Sequence, residues 1–148
     1  MQTRRVYRPF GARLVVVVMA VTLVGAITFL WAAMPAEVRA QFTWPQRITI
    51  LLFFAAILLA LWGMFRTSVT ILDSGLVITN IFKVRSYDWA QVLAISLHRG
   101  DPWAVLDLSD GTSVVAMAIQ GSDGARTNGI LREIGEQIEK HSPSEGLG

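Results

Sequence analysis

Two long, uncharged apolar runs decide most of what this chain can become. Residues 14–34 hold 21 positions without a charge, and residues 48–65 hold 18. As helices rising about 1.5 Å per residue they reach about 31 Å and about 27 Å, close to the hydrocarbon thickness of a bilayer at about 30 Å. A chain of 148 residues does not carry enough other apolar surface to wrap two such helices on every side. They therefore read as transmembrane helices rather than core helices. The charged fraction of 16% and the mean hydropathy of +0.48 agree, since soluble domains carry about 25% charged residues. Trp31 and Trp44 fall near one end of the runs, and Trp62 and Tyr7 near the other, as an aromatic belt requires.

The connector, residues 35–47, has 13 residues with two prolines, Glu37, Arg39 and Arg47. It reads as a solvent-exposed extracytoplasmic link that turns the runs into an antiparallel hairpin. Ala56, Ala60 and Gly63 on the second run, and Thr22 and Ala26 on the first, offer small residues for close helix approach.

The charge is split along the chain. Seven arginines against Glu37 leave residues 1–66 at +6, while six bases against ten acids leave residues 67–148 at −4. Arg4, Arg5, Arg8 and Arg13 precede the first run, and Arg66, Lys83 and Arg85 follow the second, so the positive-inside rule puts both termini in the cytoplasm. A competing reading takes the start of the chain as a twin-arginine signal with cleavage near Arg39. An apolar stretch of 21 residues is too long for that, and the C-terminal part would stay cytoplasmic in either case. The acidic balance of residues 67–148 argues against nucleic acid as a partner.

From Thr67 the texture changes to short β-rich runs: 68–72, 76–80, 82–87, 92–97, 103–108 and 113–117. Asp73-Ser74-Gly75 and Asp110-Gly111 are turn signals between them. The expected fold class is a membrane α-helical hairpin plus an α+β domain, the latter a small antiparallel β-barrel or sandwich. One C-terminal helix closes it, with Ile130, Leu131, Ile134 and Ile138 as its apolar stripe. Ser122 or Asp123 is its expected cap. Residues 1–13 read as a basic cytoplasmic N-terminus, 66–141 as the folded domain and 142–148 as a disordered tail.

Three blocks carry a family resemblance: Asp73-Ser74-Gly75-Leu76, Asp88-Trp89-Ala90-Gln91-Val92, and Trp103-Ala104-Val105-Leu106-Asp107-Leu108-Ser109-Asp110-Gly111-Thr112. With the anchor ahead of them, the chain resembles the small bacterial PH-domain membrane proteins of the low-molecular-weight protein antigen 6 type. The resemblance implies two spans followed by a PH-like domain in a bacterial cell membrane, with Gly75, Trp89, Asp110 and Gly111 as structural motif residues.

No catalytic or metal constellation is visible, so neither an enzyme nor a cofactor is expected. His98 and His141 have no acidic partner at a metal-ligand spacing, and there is no phosphate-binding glycine motif. Eukaryotic PH domains often bind phosphoinositides through basic residues around the first hairpin, but Asp73-Ser74-Gly75 carries none. The candidate contacts, with a headgroup or a protein partner, are Lys83, Arg85, His98 and Arg99. The expected function is an accessory or scaffolding module binding a membrane or cytoplasmic protein partner. The alternative is a sensor of anionic lipid headgroups.

Overall fold

The computed structural model describes residues 4–142. They divide into two compact units, one of residues 12–65 and one made from the sequence on either side. The tail 142–148 lies outside the described residues except for Ser142.

In the first unit a short helix, α2 (Ala36–Gln41), joins α1 (Phe10–Ala33) to α3 (Trp44–Phe65). The long helices run about 36 Å and about 33 Å, and both are long and apolar enough to cross a membrane. Only Val16 of α1, and Leu61 and Gly63 of α3, are buried. A core helix of a soluble protein would have most of its apolar face covered.

Both helices begin four residues ahead of the uncharged runs. At α3 the reason is local. Thr43 donates its backbone N–H to Gln46 Oε1 at 2.9 Å, and Pro45 occupies the first turn, where its missing N–H costs nothing. Arg47 thereby falls inside the helix. It donates to the carbonyls of Phe42 and Arg39 at 3.1 and 2.9 Å and lies over the rings of Trp31 and Trp44. The connector is exposed, as expected, and one guanidinium holds its short helix in place. At the other end the Arg13 guanidinium sits 4.5 Å from the centre of the Phe65 ring. The start of α1 thus meets the end of α3, as an antiparallel hairpin demands.

The second unit is an open sandwich, not a closed barrel. β1 (Arg5–Tyr7), β2 (Ser68–Leu72), β3 (Gly75–Asn80) and β4 (Lys83–Asp88) form one antiparallel sheet in that order. A 3-10 turn over Trp89–Gln91 leads into β5 (Val92–Ser96), β6 (Trp103–Leu108) and β7 (Ser113–Gln120), which form the other. The last helix, α4 (Ala125–His141), packs on β5 and the 3-10 turn. Alternation along the strands sends Val69, Ile71, Leu76, Ile78, Leu106 and Leu108 inward. From α4 the stripe Ile130, Ile134 and Ile138 meets them.

One strand departs from expectation. Residues 1–13 read as a basic N-terminus with no strand assigned to it, yet Arg5, Val6 and Tyr7 pair with Ile71, Thr70 and Val69. Three residues are too few to show a period, and the partner strand lies more than sixty residues away. The pairing makes the helical hairpin an insertion between the first and second strands of the sandwich. It is fixed from outside the sheet as well, because Arg5 Nη1 lies 2.9 Å from Glu133 Oε1 on α4. The Tyr7 hydroxyl donates to the same carboxylate.

The start of α4 differs too. Ser122 and Asp123 belong to a second 3-10 turn, and the residue before the helix is Gly124, at φ +55°. Glycine takes that left-handed turn without steric cost. Thr127, buried, ties the first helical turn to β7 through the Gln120 carbonyl.

Candidate functional site

The β3–β4 connection is a two-residue loop, Ile81 and Phe82. Hairpins of this length favour glycine or asparagine where φ is positive, yet Ile81 sits there at φ 54°. Asparagine stands one position earlier and does something else. Asn80 donates from Nδ2 to the Val115 carbonyl at 2.5 Å and accepts the Met117 N–H on Oδ1 at 3.1 Å. Its amide therefore pairs with β7 as a strand residue would, stitching the two sheets together at this corner.

Beyond the stitch the surface is apolar. Phe82 is 56% exposed and Val84 61%. Lys83 and Arg85 alternate with Val84 along β4 and, with Ile78, Asn80, Phe82 and Met117, line a groove of about 460 Å³.

The β4 backbone offers a second feature. In a two-residue hairpin the pair flanking the loop, here Asn80 and Lys83, exchanges both its hydrogen bonds, and pairs alternate from there. Lys83, Arg85 and Tyr87 therefore turn their N–H groups towards β3. Val84, Ser86 and Asp88 turn theirs to the open edge. The Asp88 N–H is taken by Gln91 Oε1 at 3.1 Å. The side chains of Val84 and Ser86 are exposed, and β4 is the last strand of its sheet.

The four expected contacts do not converge. His98 and Arg99 lie in the β5–β6 loop, around a second hollow of about 480 Å³ that shares no lining residue with the first. There His98 Nδ1 faces Asp101 Oδ2 at 3.4 Å. The four motif residues have structural work. A Cβ on Gly75 would stand 2.1 Å from the Tyr87 carbonyl oxygen. Trp89 is buried, donates from Nε1 to the Leu72 carbonyl at 3.0 Å and stacks on His141. Gly111 supplies φ +82° in its turn. The hydroxyl and N–H of Thr112 both donate to the Asp110 carboxylate, at 2.6 and 2.9 Å, and hold it below its ordinary value of 3.8.

Sequence reasoning missed Asn80, Ile81 and Phe82. The sequence broke its β runs between residues 80 and 82 but gave no function to the break, whose only turn-forming residue is the asparagine before it.

Residues 66–137 match the bacterial PH domain family, a stretch that holds β2 to β7 and most of α4 but not β1. Similar proteins include uncharacterized proteins of Mycobacterium bovis and of two strains of Mycobacterium tuberculosis. Each is 28% identical over 71 residues, which is 48% of this chain and 46% of the relative. The match thus spans about half the length of these relatives. No solved structure matches the chain. Six consecutive antiparallel strands closed by one C-terminal helix, matched over the same stretch, identify residues 66–137 as a bacterial PH domain.

Proposed function

We propose that the chain is a membrane-anchored PH module, a binding protein rather than an enzyme, that holds a protein partner at the cytoplasmic face of the cell membrane. Support for the anchoring comes from α1 and α3, whose exposed apolar surfaces suit lipid. Because β1 precedes α1 and β2 follows α3, their pairing supports a topology with both ends of the hairpin on one side of the membrane. The arginine excess makes that side the cytoplasm. Two residues, Arg8 and Pro9, join β1 to α1, and two more, Arg66 and Thr67, join α3 to β2. Tethering this short raises the effective concentration of the domain for membrane-bound partners.

The observation that carries the partner reading is the open edge of β4. Outward N–H groups at Val84 and Ser86, on a strand exposed from Lys83 to Ser86, are what an extended segment of another protein adds to. Native proteins usually blunt such an edge. The other reading, a sensor of anionic headgroups, is favoured by Lys83 and Arg85 lining one groove. His98 and Arg99 belong to a different hollow and do not add to it.

Ser86→Pro removes an outward N–H while sparing the β3–β4 ladder. Affinity purification of the intact protein from its native membrane in mild detergent should yield a stoichiometric partner, and Ser86→Pro should lose it with unfolding unchanged. No partner from the wild type, or undiminished capture by Ser86→Pro, counts against strand addition.

A further inference from the structure

The β3–β4 loop lies at a particular end of its sheet. Tyr7, the last residue of β1, is opposite Val69; Ser68, the first residue of β2, is opposite Thr79; and Thr79 is opposite Val84. The exit of β1, the start of β2 and the loop at Ile81 and Phe82 therefore share one end. The β2–β3 turn, with Asp73 and Ser74, lies at the other. The connections to α1 and α3 reach at most about 11 Å from Cα to Cα. The loop, between β3 and β4, is displaced sideways from β2 by one to two strand spacings, about 5–10 Å.

The composition of that loop is unlike that of a water-facing turn. A β-branched residue occupies a left-handed position and a phenylalanine stands next to it, 56% exposed. Val84, on the strand behind, is 61% exposed. Lys83 and Arg85 flank these apolar groups, and no acid lies between Asn80 and Tyr87. An apolar tip with basic residues one step behind it is the chemistry that enters a headgroup boundary, tip in the acyl region and cations at phosphate level.

We infer that this loop docks on the bilayer that the chain itself spans, Ile81 and Phe82 entering the boundary while Lys83 and Arg85 pair with anionic lipid phosphates. The inference rests on the anchoring proposed above and goes beyond it. Docking gives the PH domain a third point of attachment beside its two covalent ones. It fixes which way the domain faces and presents the open edge of β4 alongside the membrane surface.

The test uses the full-length, cysteine-free chain in vesicles of phosphatidylcholine and phosphatidylglycerol. Single cysteines carry an apolar fluorophore at Phe82, Ser74 or Leu51, so that position 82 keeps apolar bulk. At Phe82→Cys the emission should shift to the blue, be quenched by nitroxide-bearing lipids and escape an aqueous quencher, consistent with a depth of about 5–10 Å. Ser74→Cys should do the reverse, and Leu51→Cys should be quenched from the lipid alone. If position 82 behaves like position 74 while position 51 is in lipid, the docking is wrong and the anchoring stands. A position 51 open to the aqueous quencher overturns both.

Discussion

Glu133 is where two distant parts of the chain are held together by side chains. One oxygen takes the Arg5 guanidinium and the other the Tyr7 hydroxyl, across 128 and 126 residues of sequence. The hydrogen bond to the carboxylate, then burial, then its charge raise the Tyr7 phenol above its ordinary 10.0. A raised phenol contributes stability in full below pH 10.0 and loses it as pH climbs through the raised value. Spectrophotometric titration should show one of the two tyrosines ionising late, and Glu133→Gln should bring it back towards the ordinary value. Tyr7→Ala removes a half-buried ring and a charge-assisted bond, and should cost about 2–4 kcal/mol in denaturant unfolding of the domain. Gly75→Ala forces a methyl against the Tyr87 carbonyl at 2.1 Å and should cost about 1–3 kcal/mol in the same assay. Residues such as Gly75 and Trp89 stand out in the sequence because a turn or a small core needs that residue type. Ile81 falls in the break between two runs, but its side chain gives no sign of the positive φ it adopts.

Among the elements, the six strands after the hairpin and the helix that closes them could be read from alternation and turn chemistry. Their cores depend on local period, which a sequence displays directly. β1 could not, because its three residues gain their structure from β2 and α4 rather than from one another. Hydrogen exchange of the intact chain in detergent should find the amides of Arg5 and Tyr7, which alternation turns towards β2, protected, and Tyr7→Ala should expose them while the helical hairpin stays slow. Free exchange at Arg5 and Tyr7 in the wild type would contradict the pairing. The connector is exposed, as its composition suggests, but it also holds a short helix that the composition does not announce. There Arg47 satisfies carbonyls at the end of α2 and lies over two tryptophan rings.

At the scale of the molecule, the hairpin divides the sandwich in sequence but not in space. If both helices span the membrane as proposed, a sheet whose first strand precedes them is completed only once both have crossed. Domain closure is thereby tied to the topology of the hairpin. The corner formed by Asn80, the apolar loop and the open edge of β4 was legible only in part. Lys83 and Arg85 were visible as a basic pair, but their place beside a groove depends on β7 crossing from the other sheet.

The proposed anchoring therefore requires β1 and the C-terminal domain to share one side of the membrane, opposite the connector. Because the chain lacks cysteine, single substitutions Arg4→Cys, Ala40→Cys and Ser74→Cys can be probed with a membrane-impermeant maleimide on intact cells. Ala40→Cys should react at once, whereas Arg4→Cys and Ser74→Cys should react only after permeabilisation. Labelling of positions 4 and 74 from opposite sides, or of 40 and 74 from the same side, would contradict it.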